Sequence, residues 1–218
     1  MSEELGKVEK PPVEKFRKGR KLYLVPLIYR GQQSPQDYQE MFYRYWQQVE
    51  KQICELELKL GQIARIYHEI ISVSGKDGLK AIEKLNQSSY QIIKDRLGKG
   101  AQLEATEDAE SLTEFMDWSR CLALGLQNPK VFSQVYQFYI GVSKARNEYI
   151  ARRIDETLNS DEIGMLFIRE EHQLQFPPDI EVFYIAPPAL DEINRWLREP
   201  RAKPPRKTAK PKQGKRRQ

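Results

Sequence analysis

Two short stretches of this chain hold the residues best suited to acid–base or metal chemistry. One is Tyr67-His68-Glu69 with Arg65 close by; the other is Arg169-Glu170-Glu171-His172, followed by Asp179. Imidazoles and carboxylates are metal ligands and, when paired, general acids and bases. If the stretches close two neighbouring parallel strands, His68, Glu69, Glu171 and His172 converge at the carboxyl end of a sheet, where open α/β proteins bind their ligands. In that arrangement His68 and His172 hold a divalent metal ion, while Glu69 and Glu171 do the catalytic proton transfers. The opposing expectation needs no site: His68 sits on a half-buried strand, His172 in a polar hairpin or loop, and the acids in water. A third cluster places Arg146 and Arg153 on one face of a helix. They are set either to take an anion or to form ion pairs with Glu114, Asp117 or Glu148. The chain has no phosphate-binding glycine loop, dinucleotide fingerprint, nucleophile elbow, zinc-protease helix or calcium loop.

The elements that must position these groups are read from periodicity and punctuation. Lys21 to Tyr29 is a compact apolar run, and its Pro26, which lacks an N–H, marks it as an edge or bulged strand. Ser34-Pro35 is a cap-plus-proline start for a helix running to Leu60 before Gly61. Ile63 to Val73 reads as a strand, Lys76 to Leu97 as a helix, and Gly100 to Thr106 as a short strand. Asp108 caps a helix through Leu126, and Asn128-Pro129 opens a long one to Leu158. Gly164 to Arg169 and Ile180 to Ala186 read as interior strands of a helix-covered sheet, with a short helix from Leu190 to Leu197. The aromatic stripes Tyr38 to Trp46 and Phe132 to Tyr139 are assigned to the core, with a dimer interface as the alternative. The order implies an α/β fold: a helix-rich layered domain over residues 21–198, with a small mixed or parallel sheet of four or five strands. Disordered ends are expected at 1–20 and 199–218.

The segment RNEYIARRIDETLNSDEIGMLFIREEHQLQFPPDIEVFYIA, residues 146–186, resembles the closing segment of the TraB/ChaN/TIKI group of α/β proteins, and the chain as a whole resembles a bacterial protein family. The resemblance implies an Arg-led helix from Arg146 to Leu158, a strand from Gly164 to Arg169 and a functional histidine at His172, in a metal-dependent hydrolase. The group's Gly-x-x-His pattern reads Arg169-x-x-His172 here.

Charge is distributed unevenly. The 218 residues carry 36 Lys+Arg and 31 Asp+Glu, yet Arg201 to Gln218 contains nine bases and no acid. These are Arg201, Lys203, Arg206, Lys207, Lys210, Lys212, Lys215, Arg216 and Arg217; the preceding 200 residues keep 27 bases against 31 acids. A basic, Pro-containing segment without aromatic residues neutralises phosphates but does not stack on bases. RNA, DNA or a ribosome is therefore the expected partner, and a binding or adaptor role the expected function. Membrane contact, self-shielding of the acidic body and a simple aid to solubility are the competing roles for the tail. Mean hydropathy is −0.70, no apolar run approaches a membrane span, and Cys54 and Cys121 lack ligand spacing. A soluble, cytoplasmic chain is expected.

Overall fold

The computed structural model describes residues 18–31 and 33–199; most of the N-terminal arm and all of the basic tail lie outside the described residues. In chain order the elements are β1 (Arg20–Pro26), α1 (Gln36–Leu60), β2 (Arg65–His68), α2 (Gly75–Leu85), α3 (Gln87–Gly98) and β3 (Gln102–Leu103). They continue as α4 (Ala109–Ala123), α5 (Pro129–Thr157), β4 (Ile163–Ile168), β5 (Ile180–Tyr184) and α6 (Pro188–Arg198). The five strands form one sheet in the order β3-β2-β4-β1-β5, and every pairing is parallel.

Strand alternation sorts the core into two layers. Tyr23, Val25, Ile66, Met165 and Phe167 face one side, covered by α1, α2, α3 and α6. Leu22, Leu24, Tyr67, Leu166 and Ile168 face the other, covered by Ile150 and Ile154 of α5 together with Leu174 and Phe176. Gly164 belongs to this second face. A Cβ there would stand 3.0 Å from Leu22 Cδ1 and 3.2 Å from both Leu158 and Tyr67 side-chain atoms, so a side chain would crowd β1, β2 and the end of α5 together.

Four expectations are corrected. β1 is interior, between β4 and β5; Pro26 is tolerated because it ends the strand. Lys21 and Leu27 donate their N–H groups toward β4, so the missing donor at 26 falls on the β5 side, past the last pairing at Leu24↔Tyr184. Tyr45 Oη donates to the Pro26 carbonyl. β5, conversely, is an edge strand with Val182 and Tyr184 exposed. The β4–β5 connection takes the loop form of the two expected: residues 169–179 cross β1 without a helix, and Leu174 and Phe176 seat that crossing on the second face. The third correction is the start of α1, where Pro35 stands at the cap position without a capping side chain, in place of the expected Ser34 cap.

The fourth correction is the helix expected over 76–97, which breaks at Asn86 into α2 and α3. Asn86 Oδ1 accepts from the Ser88 and Ser89 amides, capping α3, while Nδ2 donates to the Ile28 carbonyl at 2.8 Å. A residue bonded in both directions holds an extended backbone that helix propensity alone would not choose. Asn86→Ala is expected to lower stability by about 2 kcal/mol, the sum of a lost cap and an unpaired carbonyl. Urea unfolding of Asn86→Ala beside Asn86→Asp, which keeps only the cap acceptor, separates the two parts; an unchanged midpoint in both would refute the assignment.

Candidate functional site

The chain leaves β2 toward β3 on one side and leaves β4 toward β5 on the other, although β2 and β4 are neighbours. Adjacent parallel strands whose connections diverge open a crevice at their carboxyl ends. Glu69 follows β2 directly and Arg169 follows β4 directly, so the register His68↔Phe167 places both at that crevice. Arg146 reaches it from α5, and Glu107 from the segment joining β3 to α4.

These four residues form an alternating chain of charges. Both Glu107 oxygens accept from Arg146, through Nε and Nη2, and Glu107 Oε1 also takes the Ile70 amide at 2.6 Å. Arg146 Nη2 reaches Glu69 Oε1 at 3.3 Å. Glu69 Oε1 accepts from Arg169 Nε at 2.7 Å and Oε2 from the Arg169 amide at 2.8 Å. The Arg146 guanidinium also lies over the Phe115 ring, 4.6 Å from its centroid, a cation–π contact strengthened by exclusion of water. Glu69 and Glu107 side chains are only 2% and 1% exposed, whereas Arg169 remains 43% exposed. Burial pushes the Glu69 carboxyl up, but hydrogen bonds from Arg169 and the charges of Arg169 and Arg146 outweigh it and hold the group below its usual range. Ionised and with both oxygens occupied, Glu69 is a brace that orients Arg169.

Above the brace lies a cleft of about 490 Å³. Arg169, Glu171 and His172 line one wall, and Tyr139, Ile140 and Asn147 of α5 line the other. His172 accepts the Leu174 amide on Nδ1 at 3.3 Å; burial pushes its pKa down, with Glu69 opposing. A groove of similar size, about 520 Å³, runs between α1 and α3. It is lined by residues of α1 and α3, and its Arg96 is committed to Glu50 and Glu57.

Of the four residues expected to converge, the structure brings three to this cleft: Glu69, Glu171 and His172. His68 is turned away, because it precedes Glu69 by one residue and strand alternation sends it to the opposite face. There it is fully buried, stacked on Phe167 at 5.7 Å. Its Nδ1–H donates to the Glu69 carbonyl at 2.6 Å, which leaves Nε2 as the acceptor beside the Ser89 hydroxyl at 3.2 Å. Among the described residues no group of three or more His, Cys, Asp and Glu side chains is placed to hold a metal ion. Arg146 and Arg153 are both ion-paired, though not with the acids expected: Arg146 takes Glu107 and Glu69, and Arg153 takes Glu156. Asp179 belongs to the other end of the sheet, where it binds Arg20. The tail residues Arg201 to Arg217 lie outside the described residues.

Glu107 is the member that sequence reasoning missed. It stands among Glu104, Glu110 and the capping Asp108, and no spacing rule separates a buried acid from those neighbours. The chain was compared with protein-family models, curated proteins and solved structures, and none of them matches it.

Proposed function

We propose that this chain is a binding or adaptor protein whose α/β body presents a polar cleft and whose basic C-terminal segment contacts the phosphates of nucleic acid or of a ribonucleoprotein. The observation that carries the reading is the partition of charge: nine bases and no acid after Pro200, against a body with four more acids than bases. A net-acidic body disfavours wrapping of nucleic acid, so contact is confined to the tail. The body is read as non-catalytic because its best-placed carboxylate, Glu69, is saturated by two arginines. A metal-dependent hydrolase of the TraB/ChaN/TIKI kind is the alternative, and it needs a four-residue set from which His68 is withdrawn. No described helix is long and apolar enough to cross a membrane.

The test is a salt series. Full-length protein is expected to bind duplex DNA or RNA without sequence preference. Nine phosphate contacts at most give a log–log slope no steeper than about −8 on B-form DNA and about −6 on single strands. Truncation after Pro200 is expected to abolish the slope and to weaken binding at low salt more than tenfold. Equal binding by the truncated protein would refute the tail assignment.

A further inference from the structure

The long helix α5 outruns the sheet it packs on. Its 29 residues extend about 43 Å at 1.5 Å per residue, whereas the longest strand, with seven residues, covers about 23 Å. The C-terminal half of α5 buries Ile150 and Ile154 against Leu22, Leu24 and Leu166 of the sheet, and Leu158 lies beside Gly164 near the start of β4. The helix therefore runs antiparallel to the strands. Its N-terminal half rises past their carboxyl ends, where Phe132, Tyr136 and Phe138 are each close to half exposed. Ile140, Ser143, Lys144 and Asn147, spaced by three and four, share the helical face that overhangs the crevice, so the cleft has a wall that the sheet alone could not supply.

Arg169 in the facing wall is paired less completely than the better-covered arginines. Arg20, Arg65, Arg96 and Arg146, with side chains at most 19% exposed, each face two different acids. Arg169, at 43% exposure, faces Glu69 alone and shares it with Arg146. Glu69 Oε1 occupies the Nε–Nη2 side of the Arg169 guanidinium, and no hydrogen bond reaches Nη1 among the described residues. The end-on Nη1–Nη2 edge is therefore open, and such an edge matches the two oxygens of a carboxylate. Beside it, His172 accepts the Leu174 amide on Nδ1, so its neutral ring carries the proton on Nε2 as a second donor. Phe115, Tyr139, Ile140 and Ile168 supply the apolar part of the lining.

We infer that this cleft binds a small organic monocarboxylate with an aromatic or branched apolar body, its carboxylate clasped by Arg169 and its body set against Phe115, Tyr139 and Ile140. The ligand gives Arg169 the second carboxylate that the four better-covered arginines already have. Glu69 holds the guanidinium in place before the ligand arrives, which lowers the ordering cost of binding. Charge selects a carboxylate over a phosphate. Glu107, Arg146, Glu69 and Arg169 cancel, and Glu171 opposes Lys144 in the same lining, so one added negative charge unbalances the site less than two. The volume of about 490 Å³ falls in the lower part of the range for small-molecule pockets, about 300–1,000 Å³. Such binding rests on the reading of the body as a non-catalytic cleft and is independent of the basic tail.

Nitrogen–proton correlation spectra of the full-length chain, titrated with 3-phenylpropionate to about 10 mM, read the site residue by residue. Saturable shifts at Ser143, Asn147, Arg169 and His172 are expected with a Kd of about 0.1–1 mM, ordinary for a ligand of about a dozen non-hydrogen atoms. The neutral 3-phenylpropionamide and inorganic phosphate are each expected to bind at least about tenfold more weakly. Arg169→Lys, which keeps the charge and loses the fork, is expected to weaken the carboxylate roughly tenfold. Arg169→Met is expected to abolish binding with far-ultraviolet circular dichroism unchanged, because Glu69 retains Arg146. No saturable shift by about 10 mM, or equal binding of the amide, overturns the inference. Phosphate binding as tightly as the carboxylate overturns the choice of ligand. Shifts that persist in Arg169→Met, confined to residues after Pro200, place the anion on the tail and overturn the inference as well. The salt slope of nucleic-acid binding is expected to be the same in Arg169→Met, so a failed titration leaves the tail reading in place, and a failed salt series leaves this one.

Discussion

Arg146→Met is expected to be among the most damaging single substitutions in the body, lowering stability by about 3–5 kcal/mol, the usual cost of leaving a buried charge without its partner. The charge left behind is Glu107. Glu69 keeps Arg169, but among the described residues Glu107 has no other cation and its carboxylate retains the Ile70 amide. For a domain of this size such a loss corresponds to a fall in Tm of about 10 °C. Methionine replaces the aliphatic stem and keeps the packing against Phe115, so the effect reports charge more than volume. The argument also makes an opposite-signed forecast. Glu107→Gln in the Arg146→Met background removes the stranded charge and keeps an acceptor for Ile70, so part of the loss returns, a coupling of about 1–3 kcal/mol. Urea unfolding of both single variants and the double one measures it. Strict additivity, or a loss below about 1 kcal/mol for Arg146→Met, would show that the network contributes little.

Acid is expected to weaken the fold through His68 well before the carboxylates titrate. Burial pushes its pKa down from 6.5 to about 4, against weaker opposition from the Glu69 carbonyl and carboxylate. The folded protein therefore keeps the imidazole neutral where the unfolded chain takes up a proton. The unfolded state binds more protons between about pH 6.5 and 4, so stability falls as pH falls through that window, by roughly 2 kcal/mol between pH 7 and pH 5. Glu69 acts later. Its depressed pKa confers stability above the ordinary carboxylate range, which is lost only as pH drops through the folded value. His68→Gln is expected to be less stable at pH 7 but to lose less between pH 7 and pH 5, what remains coming from His172, whose pKa is also lowered. Urea midpoints of the two proteins at pH 7, 6 and 5 decide it, and parallel pH profiles would remove His68 from the account.

The elements were legible where one local signal decided them. Asn128-Pro129 caps α5 and Asp108 caps α4 as read, because a side-chain acceptor one residue before a helix needs no tertiary context, whereas Ser34-Pro35 marks where α1 begins without Ser34 capping it. The layered α/β architecture followed from the order of the elements. What could not be read were the decisions made by neighbours distant in the chain. Pro26 argues for an edge while the strand's end is unknown, and the apolar β5 argues for an interior place although no described strand flanks it on one side. The periodic run over 76–97 concealed Asn86, whose partner is the Ile28 carbonyl. At the site, adjacency in sequence groups His68 with Glu69, yet strand alternation divides them. The stripe Phe132 to Tyr139 has the same period as a core stripe, and only the length of the sheet beneath it reveals that it projects beyond.

The position of β1 in the sheet has a consequence for how the chain is made. Both of its neighbours are encoded near the other end: Lys21 pairs with Ile163 on one side and with Glu181 on the other. A ribosome adding about 5–20 residues per second needs roughly 7–30 s to pass from one to the other. Throughout that interval Leu22 to Val25 is an apolar segment with no strand to join, while α2, α3 and the α4–α5 hairpin can form from contacts close in sequence. The centre of the sheet therefore closes only when β4 follows β1 out of the ribosome, and nascent chains are most exposed to misassociation and chaperone capture in the stretch of synthesis between the two strands.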